Sequence, residues 1–299
     1  MKIKLLFVLS FLTLFVFTQC KSDKKEKEKQ TVSEEESTQG FGQEDKIIYM
    51  LPSPDEIFSE IFTEDIDLKP EYVNSISNAS SYVDIKSQSI NLGVYISDFA
   101  YLGAIDSNTD ELQYLKVIRE LMDKVNLYGI VDEQMLDRIN NNLMVKDSID
   151  KISQELYYKM SQMLENSDRN NILVLVSTGA VVEALYLAVN NIDFDHSGEA
   201  IQRIFDQKFL FDNYYEFAMQ YSDDIYVKTV LNELNAVKDM FDHLDFNQKD
   251  IKITKENESD FIVIQGGKEI IVTQEAYSGF KENITNVRKL LVSISKSIN

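Results

Sequence analysis

Apolar residues along the 299-residue chain fall into four regimes. Leu5 to Phe17 is an unbroken apolar run with only Ser10 and Thr13 as polar members. Residues 21 to 46 carry almost no apolar side chains. From about residue 50 to 245 apolar positions recur every three or four residues, the period of helices with one buried face. Between Phe261 and Thr273 the sequence FIVIQGGKEIIVT is β-branched on both sides of a glycine pair.

The helical region is well punctuated. Ser53-Pro54-Asp55-Glu56 supplies a serine cap, proline at the first helical position and glutamate at the third. Ile57, Phe58, Ile61 and Phe62 then form one apolar face. A second helix is predicted from Pro70, with Val73, Ile76 and Tyr82 inward, and a third from about Ser87 to Ile105. A fourth carries Leu112, Leu115, Ile118, Met122 and Val125 inward and ends near Gly129. Asp132 and Asp147 cap a fifth and a sixth. Asn171 to about Asn190 is apolar on nearly every side, which marks a central helix. Two or three more cover Ala200 to Leu244.

Two of these helices carry a face of small residues. Gly93, Ser97, Ala100 and Ala104 share one face, as do Ser177, Ala180, Ala184 and Ala188. Such faces let helix backbones approach near the low end of the usual 8 to 10 Å separation. They are expected to be the two central helices of the bundle, packed on each other. At an offset of 80, Val94/Val174, Ser97/Ser177, Ala100/Ala180 and Ala104/Ala184 are identical, a pattern that either a duplicated helical unit or chance produces.

The C-terminal run reads as a β-hairpin turning at Gly266-Gly267. A final helix from Gln274 to Ser297 has Phe280, Ile284, Val287, Leu291 and Ile294 in phase to cover it. The expected fold is therefore mainly α: a multi-helix bundle over 47–245, with the hairpin and C-terminal helix of 246–299 packed on it.

The N-terminal regimes give an address. Thirteen apolar residues are too few for a membrane span, which needs about 20, but they suit a secretory signal behind the basic MKIK start. Cys20, the only cysteine, follows directly. That placement resembles a bacterial lipoprotein signal, with cleavage before a lipidated Cys20, although Thr18 and Gln19 replace the usual small residues. Residues 1–19 would be the signal peptide. Residues 20–46 would be the lipidated cysteine and a charged tether, KSDKKEKEKQ followed by TVSEEESTQGFGQED, too polar to build a core. One cysteine, already consumed, leaves none for disulfides, so stability must come from the core.

Composition narrows the partners. The chain has 30 Lys plus Arg against 50 Asp plus Glu, and losing Lys2 and Lys4 with the signal leaves a net charge of about −22. Such a field repels phosphate backbones, which excludes nucleic acid as an expected partner. With 44% hydrophobic residues, three prolines and ten glycines, long regular elements around a large core are expected.

Candidate chemistry is sparse. The two histidines, His196 in IDFDHSGEA and His243 in MFDHLDFNQ, lack metal-ligand spacing and fall at helix ends. Asp106-Ser107-Asn108-Thr109-Asp110 starts like a calcium loop, but Glu111 and Val117 stand where that loop needs glycine and an acid, so it reads as a turn. Nucleophile elbows, phosphate loops and dinucleotide fingerprints are absent. Asp147-Ser148-Ile149 matches a short glycosylation acceptor pattern. Tyr214, Phe217 and Tyr221 are spaced as a core stripe or, alternatively, a binding face. No cofactor, metal or catalytic residue is expected, and no enzyme.

The segments LPSPDEIF, NLGVYISDFAYLGAID and LVSTGAVVEALYLA resemble a group of helical lipoproteins of the Bacteroidota, over roughly residues 48 to 240. That resemblance implies fold and address, a lipid-anchored protein of the cell envelope, at the outer membrane, and lends no site. A non-enzymatic module that binds another envelope protein is the leading expectation. A small-molecule or glycan-binding lipoprotein is the alternative.

Overall fold

The computed structural model describes residues 51–62, 66–105, 111–142, 146–194, 198–255 and 262–293. Its ten α-helices and two strands follow in the order α1 (Pro54–Ile61), α2 (Ile85–Ala104), α3 (Glu111–Lys124), α4 (Glu133–Asn142), α5 (Lys146–Asn166), α6 (Asn170–Asn191), α7 (Gly198–Asp206), α8 (Lys208–Met219), α9 (Ile225–Asp242), β1 (Asp245–Lys255), β2 (Ile262–Ile271) and α10 (Gln274–Ser293). The expected mainly helical class is borne out.

Local chemistry explains several helix starts. At α1 the Glu56 carboxylate accepts the Ser53 N–H at 2.9 Å, behind Pro54. Asp84 accepts the Ser87 N–H at 2.9 Å to start α2, and Asp132 accepts that of Met135 at 2.8 Å to start α4. Asp224 takes two amides, Tyr226 and Val227, to start α9. Helix α5 begins at Lys146, so Asp147 lies inside its first turn instead of capping it.

Two elements differ from their sequence reading. The segment from Pro70 forms no α-helix. It is an irregular strap with short 3₁₀ turns at Pro70–Tyr72 and Ile76–Ser81. Its Ser and Asn side chains bind nearby backbone in place of a helical ladder: Ser81 Oγ donates to Asn78 O at 2.6 Å, and Ser75 Oγ accepts the Ser77 N–H. Side chains of the bundle hold the rest of its backbone. Tyr95, Tyr101 and Tyr114 donate their hydroxyls to the carbonyls of Ser75, Lys69 and Asn74 at 2.8, 3.1 and 2.8 Å. Asn191 accepts the Lys69 N–H at 2.8 Å.

The hairpin is longer than expected and turns elsewhere. β1 pairs antiparallel with β2 from Asp245↔Ile271 to Lys255↔Ile262, so Gly266 and Gly267 lie within β2. Gly267 pairs with Lys249 beside a register irregularity between Lys249 and Lys252, a place where glycine is common. Ile270 of β2 is buried in the core.

Helices α2 and α6 form the centre. Nearly every residue of both is buried. Gly93 faces the Val176 carbonyl and Gly179 faces the Ile90 carbonyl so closely that a Cβ on either glycine would overlap the opposing oxygen. Ser97 adds a hydrogen bond to Ala180 O at 2.8 Å. The crossing is reciprocal and relates positions 86 apart (90 to 176, 93 to 179), not the 80 of the sequence identities. Helix α2 also packs against α1, α3 and α5, and α6 against α8, α9 and α10. Phe205, Phe211, Phe241 and Phe280 form a ring cluster among α7 to α10, with Phe241 and Phe280 centroids 4.9 Å apart. Helix α6 is long and apolar enough to cross a membrane, but 94% of its apolar window is buried inside the protein, as for a core helix.

Gly93→Ala and Gly179→Ala are each expected to destabilise the fold by about 3 kcal/mol or more, because the methyl meets backbone that cannot swing away. Gly279→Ala in α10 meets only the mobile Met240 methyl at 3.4 Å and is expected to be neutral or stabilising by up to about 1 kcal/mol. Urea unfolding of the three variants checks this, and equal losses at Gly93 and Gly279 would contradict it.

Candidate functional site

Two places concentrate polar side chains. The first is inside the bundle. Asp98 on α2 and Glu183 on α6 are both fully buried, and Arg288 reaches Glu183 from α10. Arg288 Nε and Nη2 donate to the two Glu183 oxygens at 2.8 and 2.9 Å, a bidentate pair. Its guanidinium also lies 4.6 Å from the centre of the Tyr186 ring. Asp98 Oδ2 accepts the Asn74 N–H at 3.1 Å, and Asn74 Nδ2 donates to Tyr82 OH at 3.1 Å.

Glu183 pairs with the cation directly, and the charge of Arg288 also acts on Asp98. Burial, and then the charge of Glu183, push the Asp98 carboxyl well above its ordinary range, against the pull of Arg288. Asp98 Oδ1 has no hydrogen-bond partner. Burial also opposes the charge on Arg288, but Glu183 more than compensates and the guanidinium stays protonated. The arrangement joins α2, α6, α10 and the strap. Asp98 and Glu183 are fully buried, while the Arg288 side chain keeps 17% of its surface exposed.

The second place is on the surface. Helices α1 and α5 bound a cleft of about 690 Å³ that Leu210 of α8 also lines. The periodicity that buries Ile57, Phe58 and Ile61 turns Glu56, Ser59 and Glu60 outward into it. From α5, Gln154, Tyr157, Tyr158, Ser161, Gln162 and Glu165 face them. Tyr158 is 62% exposed, whereas Tyr157 is buried in the core with its hydroxyl 3.1 Å from Ser177 Oγ. Burial pushes the Tyr157 phenol up to about 12, with Ser177 opposing. Asp55, only 6% exposed, sits behind the cleft wall beside Gln154 and Ser53, and burial raises its carboxyl. Neither of its oxygens accepts a hydrogen bond of good geometry. No Lys or Arg is among the lining residues. Lys159, on the same helix, pairs with Glu155 at 2.7 Å.

Residues singled out by sequence fare unevenly. Cys20, His196 and the Asp106–Asp110 stretch lie outside the described residues. His243 is exposed, its Nδ1 2.7 Å from the Asp239 carbonyl of the preceding turn. Asp147 and Ser148 fall in the first turn of α5, not in a loop. Tyr214 and Phe217 are buried and Tyr221 half-buried. Tyr214 hydrogen-bonds Thr178 of α6, so this stripe belongs to the core. Among the described residues, no group of His, Cys, Asp and Glu could hold a metal ion. Sequence reasoning passes over Asp98, Glu183 and Arg288. The available signal is a lone acid in each of the two most apolar helices.

No protein-family description, curated protein or solved structure matches the chain.

A folded-state carboxyl raised above its unfolded value binds its proton more tightly when folded, so its contribution falls as pH rises above the unfolded value. The wild type is therefore expected to lose stability with rising pH relative to Asp98→Asn, which keeps the Asn74 contact without the charge. The slope difference is at most about 1.4 kcal/mol per pH unit, lasting until Asp98 has ionised in the folded protein. Thermal unfolding of both proteins at pH 5 and pH 8 reads it out. Parallel pH dependences would show that Asp98 is already ionised. Arg288→Met leaves buried acid uncompensated and is expected to cost about 3–5 kcal/mol, much of which Glu183→Gln should restore in the double variant.

Proposed function

We propose that this chain is a lipid-anchored, non-enzymatic binding module of the bacterial cell envelope, held at the outer membrane through Cys20 and a charged tether. In this reading the cleft between α1 and α5 is the binding surface. The cleft is the observation that carries the proposal. Its volume of about 690 Å³ falls within the roughly 300–1,000 Å³ of small-molecule sites, and it combines aromatic walls with a few placed polar groups. These features support a small ligand over a broad protein interface. The buried Asp98–Glu183–Arg288 cluster is assigned to holding helices together.

A second reading, an accessory module for another envelope protein, draws on a different feature. Met219 at the end of α8 and Ile225 and Tyr226 at the start of α9 are all exposed within one turn region. Apolar groups placed together on a surface suit a partner protein.

Native mass spectrometry of the full-length protein, purified in mild detergent from its own cells, separates the two readings. The expected result is a bound small-molecule mass that disappears in Tyr158→Ala. A stoichiometric protein lost in Tyr226→Ala but not in Tyr158→Ala would replace the ligand reading with the accessory one. A bare monomer would sink both. For the anchor, Cys20→Ala is expected to move the protein from the membrane fraction to the soluble fraction, and an unchanged distribution would refute lipidation as the attachment.

A further inference from the structure

The two edges of the hairpin differ. Among the described residues it is a sheet of two strands, and β2 makes backbone hydrogen bonds to β1 alone. An unpaired edge is a row of amides and carbonyls that can take another strand. The β1 edge is guarded. Its register jumps from Lys249↔Gly267 to Lys252↔Gln265, so Asp250 and Ile251 stand against the single residue Gly266. That bulge bends β1, and Lys249, Lys252 and Lys255 charge it. The β2 edge has neither device. Ile262-Val263-Ile264-Gln265-Gly266-Gly267 contains no charge, no proline and no extra residue.

We propose that β2 pairs with β2 of a second copy of this chain, antiparallel about a twofold axis at Ile264, giving a four-stranded sheet in the order β1-β2-β2-β1. The occupant is a second copy because the stretch is complementary to itself. The axis sets Ile262 against Gly266 and Val263 against Gln265, a branched residue opposite a slim or flexible one each time. It also extends the Ile253↔Ile264 pair into a row of four isoleucine positions across the sheet, and cross-strand pairs are what stabilise sheets. Charge favours the same edge. A net charge of −20 makes two copies repel, and an uncharged stretch lets them meet without setting like charges together. The pairing closes on itself, since the sheet then ends in two bulged and charged β1 edges, so a dimer forms and not a fibre. A hairpin alone is marginal, and two further strands relieve that. Few residues pair per copy, which puts the dimer in the weak, transient class.

Disulfide crosslinking tests the position of the contact. The full chain carries Cys20→Ala, so that one introduced cysteine is its only thiol, and is oxidised at high protein concentration. Ile264→Cys puts both copies of the thiol at the axis, with Cα atoms about 4.5–5.5 Å apart and within disulfide reach. Ile253→Cys, on β1, leaves the thiols three strand spacings apart, about 14 Å, which is beyond that reach. The expected result is a covalent dimer from Ile264→Cys in at least about tenfold higher yield than from Ile253→Cys. Sedimentation equilibrium of the unmodified full chain in density-matched detergent should show a reversible dimer. Ile264→Lys, which sets two like charges opposite each other, should weaken it by about tenfold.

Equal yields from the two cysteines, or no dimer from either, would overturn the proposal. A dimer that Ile264→Lys leaves unchanged would also overturn it, because the contact then lies elsewhere. If Ile264→Cys, oxidised in its own cells, is joined to a different protein and forms no dimer, the second copy is the wrong occupant of the edge. The two cysteine variants keep the comparison valid if Ile264→Lys disturbs the hairpin itself, since each exchanges one isoleucine of the same cross-strand pair for a small apolar residue.

Discussion

The fold depends on how closely two backbones can approach. Where α2 crosses α6, Gly93 and Gly179 each lie against a carbonyl of the other helix, with no room for a side chain between. The glycine Cα–H groups then face those carbonyls, an arrangement that adds weak hydrogen bonds to the dispersion contacts of a close crossing. Both glycines carry a cost in a helix interior, about 1 kcal/mol each relative to alanine. The close crossing lets Ser97 reach a backbone carbonyl across the interface and places nearly all the surface of both helices within reach of the outer layer.

That intimacy also creates the electrostatic problem of the core. Asp98 and Glu183 come from the two central helices, and the layer outside must supply the compensation. Arg288 does so from the last helix of the chain, more than a hundred residues from Glu183 in sequence. A buried ion pair is weak evidence for net stability, since an apolar replacement often does as well, but removing one member is costly. The cluster therefore acts chiefly to specify how α10 docks. A rotated or shifted α10 would leave Glu183 uncompensated, whereas its apolar face of Phe280, Ile284, Val287 and Leu291 alone would tolerate several registers.

The mainly helical body is legible in the sequence because its signals are local: Ser53, Asp132 and the four-residue apolar rhythm act within one or two turns. The small-residue spacing singles out Gly93 and Ser97 on α2. On α6 it passes over Gly179, which is adjacent to the face of Ser177, Ala180 and Ala184 and is identified only by what lies opposite. The strap from Lys69 to Tyr82 has a helical rhythm in Val73, Ile76 and Tyr82, yet hydroxyl and amide side chains win the backbone locally, and tyrosines from α2 and α3 secure it. The glycine pair 266–267 carries the hairpin signal, but nine residues of β1 pair along β2 on both sides of it and move the turn. The cleft is not legible at all. Its walls come from helices about a hundred residues apart, and 50 acidic residues hide the few that face one another.

The way the strap is held has a consequence for its motion. In most proteins, irregular segments exchange their amide protons readily and helices slowly, since local opening follows local hydrogen bonding. Here the Asn74 amide is donated to a fully buried carboxylate on the central helix, inside a ring of tyrosines. It cannot meet water unless α2 and the strap separate, and that separation exposes Asp98. The least regular stretch of the backbone thus contains an amide whose exchange reports separation of the strap from the central helix, while the neighbouring Ser77 amide, bonded only to an exposed hydroxyl, reports nothing beyond fraying.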